Sequence, residues 1–317
     1  MSASVDVSIV IPVYNEADSL PELHRELSTV LGQAGTSYEL VFVDDGSLDG
    51  TGRKLESLSQ ADPHVRAVIL RRNFGKSAAL AAGFDVVRGR RIITMDGDLQ
   101  DDPREIPAFL EMLEEGWDLV SGWKRRRHDP ISKRWPSKLF NYVTGRVSGV
   151  RLHDFNCGFK AYRREVVDRL DLYGELHRFI PVLAARQGFR IGERIVRHHP
   201  RRHGISKFGA TRFLNGFLDL LTIMFMSSKQ RSPLHVFGRL GVLFLAAGGL
   251  LNLYMGYIWL SEQALRVRPL LLFGVILVIL GIQFITMGLL GEMISSLRRD
   301  RPYTVKKRFP PGQEAGD

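Results

Sequence analysis

The chain has 317 residues, with 44 lysines and arginines against 34 aspartates and glutamates, for a formal net charge of +10. At roughly 150 residues per domain, this length allows about two domains and a substantial core. The single cysteine, Cys157, excludes an internal disulfide and a cysteine-rich zinc site. The basic excess calls for an anionic partner, and position along the chain has to choose among nucleic acid, lipid headgroups and phosphorylated substrates.

Residues 7–13 are an apolar, β-branched run, too short and without the basic leader of a secretory signal, and they read as a first strand ending in Tyr14-Asn15-Glu16. Helical periodicity follows over 19–31. The pattern repeats with a strand over 38–43 ending in Asp44-Asp45-Gly46-Ser47 and a helix over 49–58. A third strand over 65–70 runs through Asn73-Phe74-Gly75-Lys76 into an alanine-rich helix over 77–87, and a fourth occupies 91–95. Such alternation predicts a mostly parallel sheet with helices on both faces, in which ligands bind beyond the carboxyl ends of the strands. All the polar loops just named fall at that edge. Beyond it, Pro103 suits the first turn of a helix running to about 115, and 117–123 reads as another strand.

The fourth strand ends in Met95-Asp96-Gly97-Asp98-Leu99-Gln100. In extended backbone Asp96 and Asp98 point the same way, so both can address one hard divalent cation, Mg²⁺ or Mn²⁺, shared with the phosphates of a nucleotide diphosphate. Asp-x-Asp alone is a weak motif. Its place among three other polar strand ends gives it weight.

Two basic stretches follow. Lys124, Arg125, Arg126, Arg127, His128, Lys133, Arg134 and Lys138 form the first, and 197–207 form the second, immediately before the most apolar part of the chain. Residues 208–235 carry apolar positions at helical spacing and are expected to lie in the membrane interface. Residues 240–260 and 270–291 contain no charge and are long enough to span, since about 20 residues cross the hydrocarbon. A short connection makes them a hairpin within 236–294. Lys229, Arg231 and Arg239 before the first span, and Arg298, Arg299, Arg301, Lys306, Lys307 and Arg308 after the second, put both flanks on the cytoplasmic side of the plasma membrane by the positive-inside rule. The expected organisation is therefore a cytoplasmic catalytic domain over 1–207, interfacial helices over 208–235, two spans, and a basic cytoplasmic tail over 295–317. Glycines in both spans allow close helix contact.

Ile11-Pro12-Val13-Tyr14-Asn15-Glu16, Val43-Asp44-Asp45-Gly46-Ser47, Asn73-Phe74-Gly75-Lys76, Asp96-Gly97-Asp98-Leu99-Gln100 and Asn156-Cys157-Gly158-Phe159-Lys160-Ala161-Tyr162-Arg163 occur in this order. Together they resemble a family-two glycosyltransferase with a GT-A fold. The resemblance is to the polyprenyl-phosphate type, which includes dolichyl-phosphate mannose synthase and bacterial enzymes that load glucose or aminoarabinose onto undecaprenyl phosphate. It implies metal-dependent, inverting transfer of a hexose from a nucleotide-diphosphate sugar to a polyprenyl phosphate. UDP-glucose is favoured as donor by Arg178-Phe179-Ile180-Pro181 and the hairpin layout, with GDP-mannose next.

The same resemblance implies roles for individual residues. Pro12, Tyr14, Glu16 and Asp44 would hold the nucleoside, Asp45 would belong to the same donor site, Lys76 would approach the diphosphate, and Asp96, Asp98 and Gln100 would hold the Mg²⁺ or Mn²⁺. Lys124, Lys133 and Ser137 would grip the lipid phosphate, the first two standing where the family often has arginine. Arg201, Arg202, Ser206 and Lys207 match a second acceptor motif. Asp154 matches an acidic residue beside the acceptor, with alignment its first expected role and proton removal its second. Asp154 and Asp98 are thus the expected catalytic carboxylates, and a homo-oligomer, a tetramer, is implied as well.

Other classes fit less well. A processive polysaccharide synthase would carry Gln-x-x-Arg-Trp, yet Ile131 precedes Arg134-Trp135 at the glutamine position. A basic membrane scaffold or nucleic-acid binder is opposed by acidic clusters at the strand ends, which repel a phosphate backbone. A dinucleotide enzyme would need a glycine fingerprint where Pro12-Val13-Tyr14 stands.

Overall fold

The computed structural model describes residues 5–125, 140–146, 148–200, 233–262, 269–296 and 305–309. Strand β1 (Val7–Val13) lies between β2 (Tyr38–Asp44) and β4 (Arg91–Thr94), and β3 (Val65–Leu70) flanks β2, all four parallel. A central parallel strand is covered on both faces, which is why β1 is a continuous apolar run and not an alternating one. Pro12 is tolerated there for a local reason. Val10 faces β4, its carbonyl accepting the Met95 N–H, and so does Pro12 two residues on, but the β1–β4 pairing has already ended at Val10–Thr94.

Helices α1 (Leu20–Gln33), α2 (Thr51–Ala61), α3 (Lys76–Phe84) and α4 (Ile106–Glu114) pack on the sheet. Leu20, Leu23, Leu27 and Leu31 form the single buried stripe of α1. Pro103 does begin helical structure, but as one 3₁₀ turn (Pro103–Glu105) capped by the Asp102 side chain before α4 starts.

The second half departs from simple alternation. The eight-stranded sheet has the order β7-β5-β6-β4-β1-β2-β3-β8. Strand β6 (Lys160–Arg163) enters antiparallel between β4 and β5 (Leu119–Trp123), and β7 (Ile191–Ile195) runs parallel to β5. Helix α5 occupies 140–146, with α6 (Arg164–Val167) and α7 (Ile180–Arg186) after it. The tail, expected only as a basic appendage, contains β8 (Val305–Phe309), which pairs antiparallel with the outer edge of β3.

The chain divides into two compact units, Met1–Ser227 with Arg301–Asp317, and Ser228–Asp300. Of the expected interfacial segment, 208–232 lies outside the described residues. In the second unit, α8 (Pro233–Glu262) and α9 (Pro269–Ser296) contain stretches of 25 and 23 residues, Phe237–Ser261 and Pro269–Gly291, long and apolar enough to cross a membrane. Their glycines serve the pair itself. A Cβ on Gly281 would lie 2.8 Å from the Gly241 carbonyl oxygen and 2.7 Å from Leu245 Cγ, and one on Gly248 would lie 2.7 Å from the Gly274 carbonyl oxygen. Close backbone approach is the main source of helix association in lipid. Gly281→Leu should therefore separate the helices and lower resistance to SDS unfolding by about 1–3 kcal/mol, the range for overpacked sites; an unchanged SDS midpoint would count against this packing.

Candidate active site

The polar loops gather at the carboxyl edge of the parallel strands as expected, and they are stitched to one another. Asn15 adopts a left-handed conformation (φ 54°), donates its N–H to Ser47 Oγ at 2.8 Å and accepts from Leu48 N–H at 2.9 Å. Glu16 N–H donates to Thr51 Oγ1 at 3.1 Å, while its carboxylate accepts from Ser19 at 2.9 Å. Tyr14 and Pro12 stand beside these contacts, partly exposed at the strand's end. Asp44 is buried and accepts Ser47 N–H at 2.9 Å. Burial pushes both the Asp44 and Asp45 carboxyls up from the usual carboxylate range.

Asp45, expected at the donor, has a structural task in this loop. Its Oδ1 accepts Phe74 N–H at 2.7 Å and its Oδ2 accepts Gly75 N–H at 3.0 Å, just before α3 begins at Lys76. It thus shapes the loop that presents Lys76. Lys76 in turn contacts Asp96 Oδ1 directly.

The acidic pair is not in extended backbone. Strand β4 ends at Thr94, and 96–100 form a turn in which Leu99 is left-handed (φ 60°), so the period-two argument for Asp96 and Asp98 does not apply. Local bonds set the shape: Gln100 N–H donates to Asp98 Oδ1 at 3.3 Å, and a Cβ on Gly97 would lie 2.6 Å from Val13 Cγ1, which admits only glycine. The Gln100 amide nitrogen donates to the His199 carbonyl at 3.3 Å, so the amide oxygen is the atom of this side chain with the chemistry of a metal ligand. The carboxylate of Asp98 and the amide of Gln100 carry hard oxygens of the kind that Mg²⁺ or Mn²⁺ takes. Among the described residues, no three His, Cys, Asp or Glu side chains form a complete metal cage. The residues fit a cation that shares its shell with substrate oxygens.

Behind this corner lies a buried charged cluster of which the sequence pointed only to parts. Lys124 Nζ pairs with Asp101 Oδ1 at 2.7 Å. Lys160, buried, contacts the Cys157 carbonyl and reaches the Phe155 carbonyl at 3.5 Å. Burial works against the Asp96 charge, but Lys76, Lys124 and Lys160 outweigh it and hold the carboxyl far below its ordinary value. Burial likewise pushes the Cys157 thiol up to about 12, which makes the lone cysteine an inert core group.

Asp154 is buried in the loop before β6, and its backbone is held from β7 by Glu193, whose Oε1 accepts Asp154 N–H at 3.0 Å. Lys160 is an electrostatic neighbour of both Asp154 and Asp96, so the two carboxylates share one region. Gly158 packs against Asp96 itself. His177 is joined to the first turn of α3 through Ser77, whose Oγ accepts His177 N–H and meets Nδ1, each at 3.0 Å. Burial, with Lys76 and Arg178, holds this imidazole well below its ordinary value and hence neutral. Neither Gly158 nor His177 carries a local sequence signal for these contacts. The remaining expected acceptor residues, Lys133, Ser137, Arg201, Arg202, Ser206 and Lys207, lie outside the described residues.

Residues 8–171 match the model of Glycosyl transferase family 2. A dodecaprenyl-phosphate galacturonate synthase of Rhizobium johnstonii is 41% identical over 300 residues, covering 92% of this chain and 88% of that protein. An undecaprenyl-phosphate 4-deoxy-4-formamido-L-arabinose transferase of Klebsiella pneumoniae is 40% identical over 93% of this chain and 89% of its own length. Among solved structures, glucosyl-3-phosphoglycerate synthase from Mycobacterium tuberculosis in complex with Mn²⁺ and UDP-glucose superposes with a TM-score of 0.51 at 20% identity, covering 69% of this chain and 79% of that one. At that identity the likeness is one of fold.

Proposed function

Because this chain belongs to glycosyl transferase family 2 and aligns along nearly its whole length with polyprenyl-phosphate sugar transferases, we propose that it transfers a sugar from a nucleotide diphosphate to a polyprenyl phosphate at the cytoplasmic membrane face. The observation that carries this reading is the joint placement of Lys76, Asp96, Asp98 and Gln100 at the carboxyl edge of the sheet, in a chain that also holds two membrane-length helices. The return of β8 to the sheet after the second helix supports two crossings, with both flanks on one side.

In this reading the β1 and β2 loops receive the nucleoside and Lys76 turns from Asp96 to the incoming diphosphate. Asp98, Gln100 and Asp96 would hold a divalent cation, whose chemistry there would be charge neutralisation for the departing nucleotide diphosphate. Asp154 aligns the acceptor oxygen for attack on the anomeric carbon from the face opposite the leaving group, which inverts the configuration. The acceptor needs little deprotonation, since a phosphate monoester has a second pKa of about 6. Asp154→Asn should accordingly lose activity equally at pH 6 and pH 8. A loss much smaller at pH 8 would assign Asp154 proton removal.

UDP-glucose is the donor the sequence favours. The names of the relatives add a galacturonate and a formamido-arabinose. Membranes containing the protein, Mn²⁺ and undecaprenyl phosphate, supplied with radiolabelled UDP-glucose, GDP-mannose, UDP-galacturonate or UDP-4-deoxy-4-formamido-arabinose, should give lipid-soluble label from one of them. Folded protein that transfers from none would overturn the reading, and a requirement for a polymer primer would assign a polysaccharide synthase.

A further inference from the structure

Lys124 opens the basic run after β5, where the family resemblance assigns it to the acceptor phosphate. Its ammonium is engaged elsewhere. It lies 2.7 Å from Asp101 Oδ1, with the Lys124 side chain 11% exposed and that of Asp101 fully covered. An ionised carboxylate with no contact with water needs a counter-charge, because desolvation costs several kcal/mol per ion. Lys124 is that counter-charge, and Asp101 together with Asp96 holds it protonated against the opposing effect of burial.

Asp101 is also tied to the cation-binding turn. It follows Gln100 directly, its Oδ2 faces Asp96 N–H at 3.5 Å, and its backbone forms a bridge with His198. The pair therefore underlies both ends of 96–100, the turn that carries every proposed metal-facing group. A lysine held there is removed from the surface on which a lipid phosphate would arrive.

We propose that Lys124 is a positioning residue of the donor side, its buried pair with Asp101 holding the 96–100 turn in the shape that receives the diphosphate and its cation. This rests on the proposed transferase function, and the test separates the two.

The experiment uses the full chain in detergent micelles. It measures Mn²⁺-dependent UDP binding by calorimetry without lipid, and the KM for undecaprenyl phosphate with the donor that supports transfer. If the unaltered protein neither binds UDP nor transfers sugar, the transferase reading fails on its own. Given binding, Lys124→Met should weaken UDP by about tenfold or more, the scale seen when groups supporting a metal ligand are removed, with the KM for the lipid unchanged. Because the stranded Asp101 carboxylate can unfold the domain, the double variant D101N/K124M removes both charges. It should melt near the unaltered protein, as expected when a buried pair is replaced without leaving a lone charge, yet still bind UDP about tenfold or more weakly with the lipid KM unchanged. A raised lipid KM with intact UDP affinity, in either variant, would return Lys124 to the acceptor and overturn the proposal. So would a folded variant of either kind that binds UDP normally.

Discussion

Gly158→Ala should cut transfer by about a hundredfold, the cost of a misplacement near 1 Å at a reacting centre, in a protein that still folds. A Cβ at this position would lie 2.5 Å from Oδ1, 2.6 Å from Oδ2 and 2.7 Å from Cγ of Asp96. One of the two groups has to move. The glycine's own strand approach is fixed, because Thr94 Oγ1 donates to the Gly158 carbonyl at 2.7 Å and Lys160 anchors the carbonyls just before it. Asp96 yields instead, and with it go the contact to Lys76 and the turn over 96–100. Since the added methyl touches no apolar core, the thermal midpoint should shift by only a few degrees, while Mn²⁺-dependent UDP binding falls with activity. Near-normal binding and turnover in a folded variant would show that Asp96 tolerates displacement and is not the fixed point proposed here.

The contrast between Gly158 and the Asp96–Asp98 pair shows what a linear sequence carries. The first four strands and their loops were legible because each ends a buried apolar run with polar residues, and parallel pairing follows from the helices between them. The insertion of β6 between β4 and β5 was not. It pairs Arg91 with Arg163 and Thr94 with Lys160, across a long intervening stretch that no local pattern describes. Strand β8 was hidden for another reason: Val305–Phe309 is short and mostly basic, so its charge masked its extended backbone. Leu99 defeated the period-two argument because a leucine at φ 60° announces no turn. At the site, residue types were readable and tasks were not. Lys76 and Lys124 look equivalent as lysines near acidic loops, but one faces Asp96 at the open edge and the other is sealed against Asp101. Burial made that distinction, and burial belongs to the assembled fold.

Asp45→Ala should lower the thermal midpoint by about 10 °C, equivalent to about 3 kcal/mol for a domain of this size, and raise the KM for the nucleotide sugar more than it lowers kcat. The carboxylate is 5% exposed and accepts two backbone N–H groups, those of Phe74 and Gly75, at the entrance to α3. Gly75 provides no side-chain cap for that helix, and at φ 92° it holds a backbone conformation that only glycine adopts readily. Asp45 thus fixes, from a neighbouring strand end, the two backbone N–H groups that lead into the helix, placing negative charge where the helix N-terminus favours it. Alanine removes the acceptor of both part-buried donors and frees the loop that aims Lys76. Binding of the diphosphate is then the step that suffers, because Lys76 must find its position again with each substrate, whereas the carboxylates of the 96–100 turn are attached to a different strand. Asp45→Asn retains one oxygen acceptor and should fall about midway between the alanine variant and the unaltered protein in both measurements. A raised KM at an unchanged thermal midpoint in Asp45→Ala would instead identify Asp45 as a direct contact to the nucleotide, and the loop would need another anchor.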